Sequence, residues 1–224
     1  LEDSCPYFYF SDLVVGETTC DGKKKMYELL GKLKPTHVMQ LPNGYSQKSS
    51  LELWKSELLS LKDFLENKFD LSITDEDLRK AIKSRNRFRS SLKSFHEIGK
   101  LIPPPVSGLE MLQLMNGAGF SPNKSAQALN VSRFKEHLLD EYDMGLTSIS
   151  LEKKRILVTG SPIGGATEKI ISNIEMFGGT VVCLETCGGI KSVYENVRED
   201  IDPIDALAEK YLGIPCSCMH NNKK

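Results

Sequence analysis

Cys20 stands where a short apolar run, Leu13-Val14-Val15, gives way to a charged segment ending at Leu30. The run reads as a strand. The segment after it reads as a helix, with Asp21 placed to cap it and Gly31 placed to end it. A thiol there leaves the carboxyl end of a strand and meets the amino end of a helix. The helix dipole and unpaired backbone N–H groups favour a negative group so presented. Such a thiolate acts as a nucleophile or as a metal ligand. The other cysteines, Cys5, Cys183, Cys187, Cys216 and Cys218, fall at the two ends of the chain, and the long charged middle has none. In a chain large enough to build its own core, clustered cysteines point to metal ligands or reactive thiols before disulfides.

Cys187 occupies a place equivalent to that of Cys20. It follows the strand Thr180 to Leu184 and lies in a turn with Gly188 and Gly189. Ligands of open α/β sheets bind at the carboxyl edge of the strands, so two thiols from two α/β units are expected to face one cleft. The alternative is a small residue tolerated in a turn. Cys216 and Cys218 form a Cys-x-Cys after Pro215. That spacing lets two thiolates reach one metal. Zinc sites show tighter, paired spacings, whereas iron–sulfur clusters take ligands from scattered loops. Cys5 precedes Pro6 and the aromatic run Tyr7 to Phe10, which reads as core or as the apolar shell of a redox centre. Cys183, between Val182 and Leu184, reads as a small core residue.

Three cations, Lys23, Lys24 and Lys25, fall in the first turn of the helix after Cys20. Positive charge there opposes the dipole by a few tenths of a kcal/mol per charge. A nearby anion offsets that cost; a solvated helix face is the alternative. Gly160, Gly164 and Gly165 form a tight loop between strand and helix that can cradle a phosphate through backbone N–H groups. The loop lacks the Gly-Lys-Ser/Thr ending of a P-loop and the spacing of the dinucleotide fingerprint. His37, His96, His137 and His220 show no metal-ligand spacing and receive no role.

These residues need elements to hold them. Residues 11–42 read as a strand, a helix and a second strand over Thr36 to Leu41, so the two strands are expected to be parallel. Residues 50–98 read as helical, with Leu51, Trp54, Leu58, Leu61 and Leu65 on one face. A basic helix runs through Lys83, Arg85, Arg87, Arg89 and Lys93; its charges are expected to face water. Ser107 is placed to cap a short helix, and 125–143 suggest a further one. From Lys154 the α/β pattern returns, with strands at 155–159 and 180–184 and helices at 168–176 and 203–212. The organisation expected is an α/β part over 1–50, a helical segment over 51–150 and a second α/β part over 151–224.

Composition excludes several classes. The 224 residues carry a net charge of −1 and have no global basic excess, so nothing in them speaks for nucleic acid. No apolar run is long enough for a membrane helix, and no leader resembles a signal peptide. A cytoplasmic location is expected. The chain opens on Leu1 and ends in a polar tail, which gives the expectation of a piece of a longer protein.

The run from Cys5 to Glu28, with Cys20-Asp21 at its centre, is similar to the 2-hydroxyacyl-CoA dehydratase and benzoyl-CoA reductase superfamily, and most of all to its double-cubane cluster proteins. Pro103 to Gly108, Gly160 to Glu168, Glu185 to Lys191 and Ala208 to Met219 match as well. The resemblance implies two Rossmann-like parallel-sheet domains with helical additions. It implies an iron–sulfur cluster between them, 4Fe–4S or double-cubane (8Fe–9S), held by cysteines from both. Residue by residue, it makes Cys20 the best ligand and Cys5 the extra cysteine of the double-cubane branch. Cys187, Cys216 and Cys218 fall in matching motifs. It also implies a low-potential reductase component, fed by an ATP-hydrolysing iron–sulfur activator and working as a homodimer. The alternatives are a 2-hydroxyacyl-CoA dehydratase subunit, with Lys23 and Lys24 near CoA phosphates or a carboxylate, and a non-catalytic metal-binding scaffold. The family has cysteines beyond both ends of this chain, so the chain alone is expected to hold part of a cluster.

Overall fold

The computed structural model describes residues 5–44, 46–160 and 164–214. In chain order the elements are α1 (Pro6–Phe10), β1 (Val14–Glu17), α2 (Asp21–Leu30), β2 (Thr36–Met39), α3 (Lys48–Phe69), α4 (Asp75–Glu97), α5 (Gly108–Ala118), α6 (Lys124–Asp143), β3 (Lys154–Gly160), α7 (Thr167–Met176), β4 (Gly179–Thr186), α8 (Ile190–Val193) and α9 (Pro203–Leu212). The protein is mixed α/β, with two small parallel sheets, β1–β2 and β3–β4. Among the described residues no helix is long and apolar enough to cross a membrane. The chain divides into two compact units, one of residues 1–78 with 200–224 and one of 79–199.

In the first unit the parallel pair expected for residues 11–42 forms, with Val15 opposite His37 and Glu17 opposite Met39. Gly16 lets α2 lie close on β1. A Cβ at that position would come within 2.3 Å of the Tyr27 ring. The apolar stripe of α3 does what its spacing implies: Trp54 is buried with Met39, Ala208 and Leu212, and Leu51, Leu58 and Leu61 pack around them. Asp202 caps α9 by accepting from the N–H groups of Ile204 and Asp205 at 2.9 and 3.0 Å, with Pro203 in the first turn. The α3 ammonium of Lys55 pairs with Asp205 at the same helix start.

In the second unit the core gathers Phe88, Leu92 and Phe95 of α4, Met111 of α5 and Ile171 of α7 with Val181 and Leu184 of β4. Ser107 and Glu110 form a reciprocal capping box at the start of α5. Gly108 brings that start onto β4, since a Cβ there would meet the Val181 side chain at 2.3 Å. The register slips between Ile156 and Leu157, where Val181 is matched, Val182 skipped and Cys183 matched. Arg155 on β3 donates to the carbonyls of Gly99 and Leu101 at 2.9 and 2.8 Å.

The basic stretch of α4 does not face water throughout. Arg89 is buried, and its guanidinium donates to the Asn86 side-chain oxygen at 3.0 Å. Asn86, also buried, serves Val197 as a neighbouring strand would. Its amide donates to the Val197 carbonyl at 2.7 Å, and its oxygen accepts from the Val197 N–H at 2.9 Å. Replacing Asn86 by leucine, of similar size, strips two buried backbone groups of partners. The expected cost is about 3 kcal/mol, read as a lower urea midpoint at unchanged slope.

Candidate functional site

Cys20 itself is the N-cap of α2, correcting the expectation that Asp21 caps it; Asp21 is the first helical residue. The Cys20 backbone is extended and its side chain makes no capping hydrogen bond. Its carbonyl accepts the first helical bond, from Lys24 at 3.0 Å. The thiol is therefore free, exposed and set among the unpaired N–H groups of the first turn. The loop that carries it is tied to the next strand. The Thr18 N–H donates to the Met39 carbonyl at 3.1 Å, and the Thr18 hydroxyl accepts from the Leu41 N–H at 2.9 Å. Glu17 ends β1 beside this loop, and partial burial pushes its carboxyl above the ordinary range.

The cations after Cys20 have local partners. Lys24 pairs with Asp21 at 3.3 Å and Lys25 with Glu28 at 2.7 Å, while Lys23 lies 6.0 Å from the centre of the Tyr27 ring. Neighbouring side chains thus offset much of the dipole conflict that suggested an anionic ligand. Cys5, half-buried, caps the short helix α1 in the same unit.

In the second unit Cys187 follows directly on β4 and is free and exposed. Its turn is built tightly. The Gly189 N–H donates to the Thr186 carbonyl at 3.0 Å, and the Gly189 α-carbon lies against the Leu184 carbonyl. Glu185, two residues before the thiol, accepts a short hydrogen bond from Thr159 and pairs with Lys191 at 3.1 Å. Those two contacts hold its carboxyl below the ordinary range. Gly164 and Gly165 lie in a 3-10 turn, Gly164–Ala166, before α7, and an added Cβ at either meets open space. Residues 161–163 of that loop lie outside the described residues. So do Cys216 and Cys218. Cys183 is half-buried in β4, and burial is the main cause that raises its thiol above the ordinary range.

Sequence reading missed His96. It is buried on α4, and its Nε2 accepts from the Leu184 N–H of β4 at 3.1 Å. It pins the strand three residues before Cys187. Burial, the largest cause, holds the imidazole below its ordinary range; Glu97 pulls it up and Lys100 pushes it down. The native state therefore refuses a proton that the unfolded chain accepts below about pH 6.5. Stability is fully present above that pH and falls as the solution is acidified. His96→Gln, which keeps an acceptor, should flatten this dependence in urea midpoints compared between pH 7.5 and pH 5.5 (about two units apart, across the imidazole range).

Among the described residues no three His, Cys, Asp or Glu side chains gather closely enough to hold a metal ion. The donors themselves suit one: Cys20 and Cys187 are free, exposed sulfurs on loops at strand ends, the ligand type that iron–sulfur clusters and zinc take.

A family model described as "2-hydroxyglutaryl-CoA dehydratase, D-component" matches residues 1–224. The chain belongs to that family. It is also 47% identical over 220 residues to a protein of Escherichia coli (strain K12) described as "Putative dehydratase subunit YjiM". That match covers 98% of this chain and 57% of the relative, so the chain spans a little over half the length of the curated protein it matches.

Proposed function

We propose that this chain is the cysteine-bearing part of an iron–sulfur 2-hydroxyacyl-CoA dehydratase component, with Cys20 a cluster ligand. The observation that carries the reading is the Cys20 thiol, free and exposed at the start of α2, at the carboxyl end of β1. Membership of the dehydratase D-component family supports the reaction class. Cys187, Cys216 and Cys218 are the further ligands in this reading, and each sheet is the core of a Rossmann-like domain. The cluster supplies low-potential one-electron chemistry when bound. The chain's own residues do the positioning. Tyr27 on Gly16 presses α2 to β1, and Thr18 ties the Cys20 loop to β2. The electron donor is an ATP-hydrolysing iron–sulfur activator, a separate protein.

One observation favours the double-cubane reductase as a second reading. Cys5 is a free thiol in the same unit as Cys20, at the head of a helix whose aromatic side chains include the buried Phe8. Anaerobic reconstitution of the full-length protein separates the two. About four irons per chain with activator-dependent loss of water from a 2-hydroxyacyl-CoA supports the dehydratase. About eight irons without that activity supports the reductase. Zinc without iron overturns both.

A further inference from the structure

The short helix α1 carries Cys5 at its amino end. A helix of five residues is not stable alone and stays where the rest of the molecule holds it. Of its aromatic rings, that of Phe8 is buried, while those of Tyr7, Tyr9 and Phe10 are exposed. Its turn is closed by the Tyr9 N–H on the Cys5 carbonyl at 3.0 Å and the Ser11 N–H on the Tyr7 carbonyl at 3.1 Å. The last carbonyls of a helix have no partner within it and need donors from elsewhere.

Lys34 brings such donors. It lies between α2 and β2, and its ammonium donates to the carbonyls of both Phe8 and Ser11. The same ammonium stands 4.5 Å from the centre of the Phe8 ring, within reach of a cation–π contact. A cation at the carboxyl end of a helix also meets the favourable end of its dipole. The backbone that bears Lys34 is anchored to both strands of the sheet. The Thr36 hydroxyl donates to the Lys34 carbonyl at 2.9 Å, and the Val14 N–H donates to the Pro35 carbonyl at 2.8 Å. The ammonium thus links the sheet that carries Cys20 to the helix that carries Cys5.

We propose that Lys34 is the positioning residue for Cys5: it clamps the carboxyl end of α1 to the sheet and so fixes where the thiol at the amino end stands. The helix is only about 7.5 Å long at its rise per residue. A loose far end therefore moves the thiol by more than the roughly 0.2 Å that a metal–ligand bond tolerates. The consequence for iron rests on the second reading above, in which Cys5 is a ligand; the clamp itself does not. The full-length protein is compared as wild type, Lys34→Met, Lys34→Arg and Cys5→Ala. Methionine keeps the stem and removes the donors, and arginine keeps the donors. In the metal-free protein, the rate at which Cys5 reacts with a soluble thiol reagent is read by peptide mass spectrometry, with Cys20 as the internal reference. The half-buried Cys5 should react about tenfold faster in Lys34→Met, with Cys20 unchanged. Lys34→Arg should stay within about twofold of wild type. After anaerobic reconstitution, iron per chain should fall in Lys34→Met toward the level of Cys5→Ala and hold in Lys34→Arg. An unchanged Cys5 rate in Lys34→Met, or equal acceleration of Cys5 and Cys20, overturns the clamp. Loss of iron in Cys5→Ala with full iron in Lys34→Met overturns the role of Lys34 at the metal and leaves Cys5 a ligand. Full iron in Cys5→Ala overturns instead the reading of Cys5 as a ligand, and the thiol rates then decide the clamp alone.

Discussion

Gly189→Ala is expected to dismantle the turn that presents Cys187 and to cost about 3 kcal/mol or more. A Cβ at Gly189 would fall 2.1 Å from the Leu184 carbonyl oxygen and 3.0 Å from its carbon. Both atoms are backbone of a buried strand, so no side chain can swing aside. The Leu184 N–H is held by His96 and its side chain is in the core, which blocks retreat on the other side. The turn must open instead, and the Gly189 bond to Thr186 goes with it. Gly165→Ala is the control, because a Cβ there meets nothing within 4 Å. It should cost less than about 1 kcal/mol. Thermal unfolding compares the stabilities. The rate at which Cys187 reacts with a soluble disulfide reagent reports the turn itself, and it should change in Gly189→Ala only.

What the chain order makes legible is the scaffold of each thiol. Leu13 to Val15, the segment after Cys20 and Thr36 to Leu41 carry enough apolar patterning to announce β1, α2 and β2. Parallel pairing then follows from the helix between the strands. The stripe of α3 and the capping box at Ser107 are likewise local signals that tertiary structure left intact. The contacts that fix the site are of another kind. Asn86 reaches Val197, His96 reaches Leu184 and Thr18 reaches Leu41, across 111, 88 and 23 residues of sequence. No periodicity encodes such pairs, and a basic helix gives no hint that Arg89 turns inward. The lysines after Cys20 show the reverse case. Their charge is visible in sequence, but Asp21 and Glu28 answer it locally.

The second large effect concerns Cys20. Its thiol makes no capping bond and is exposed, so Cys20→Ala removes no internal contact that holds α2. Stability should change by less than about 1 kcal/mol. Cluster binding should be largely lost, because alanine offers no donor atom in place of the thiolate. Cys183→Ala is the comparison: it removes a half-buried thiol of β4 that the account gives no metal role. The most direct measurement is iron and acid-labile sulfide per chain after anaerobic reconstitution of the full-length protein as wild type, Cys20→Ala and Cys183→Ala, with circular dichroism confirming the fold of each. The account predicts that Cys20→Ala loses most of its iron and that Cys183→Ala keeps it. Equal iron in Cys20→Ala and wild type would contradict the assignment of Cys20 as a ligand.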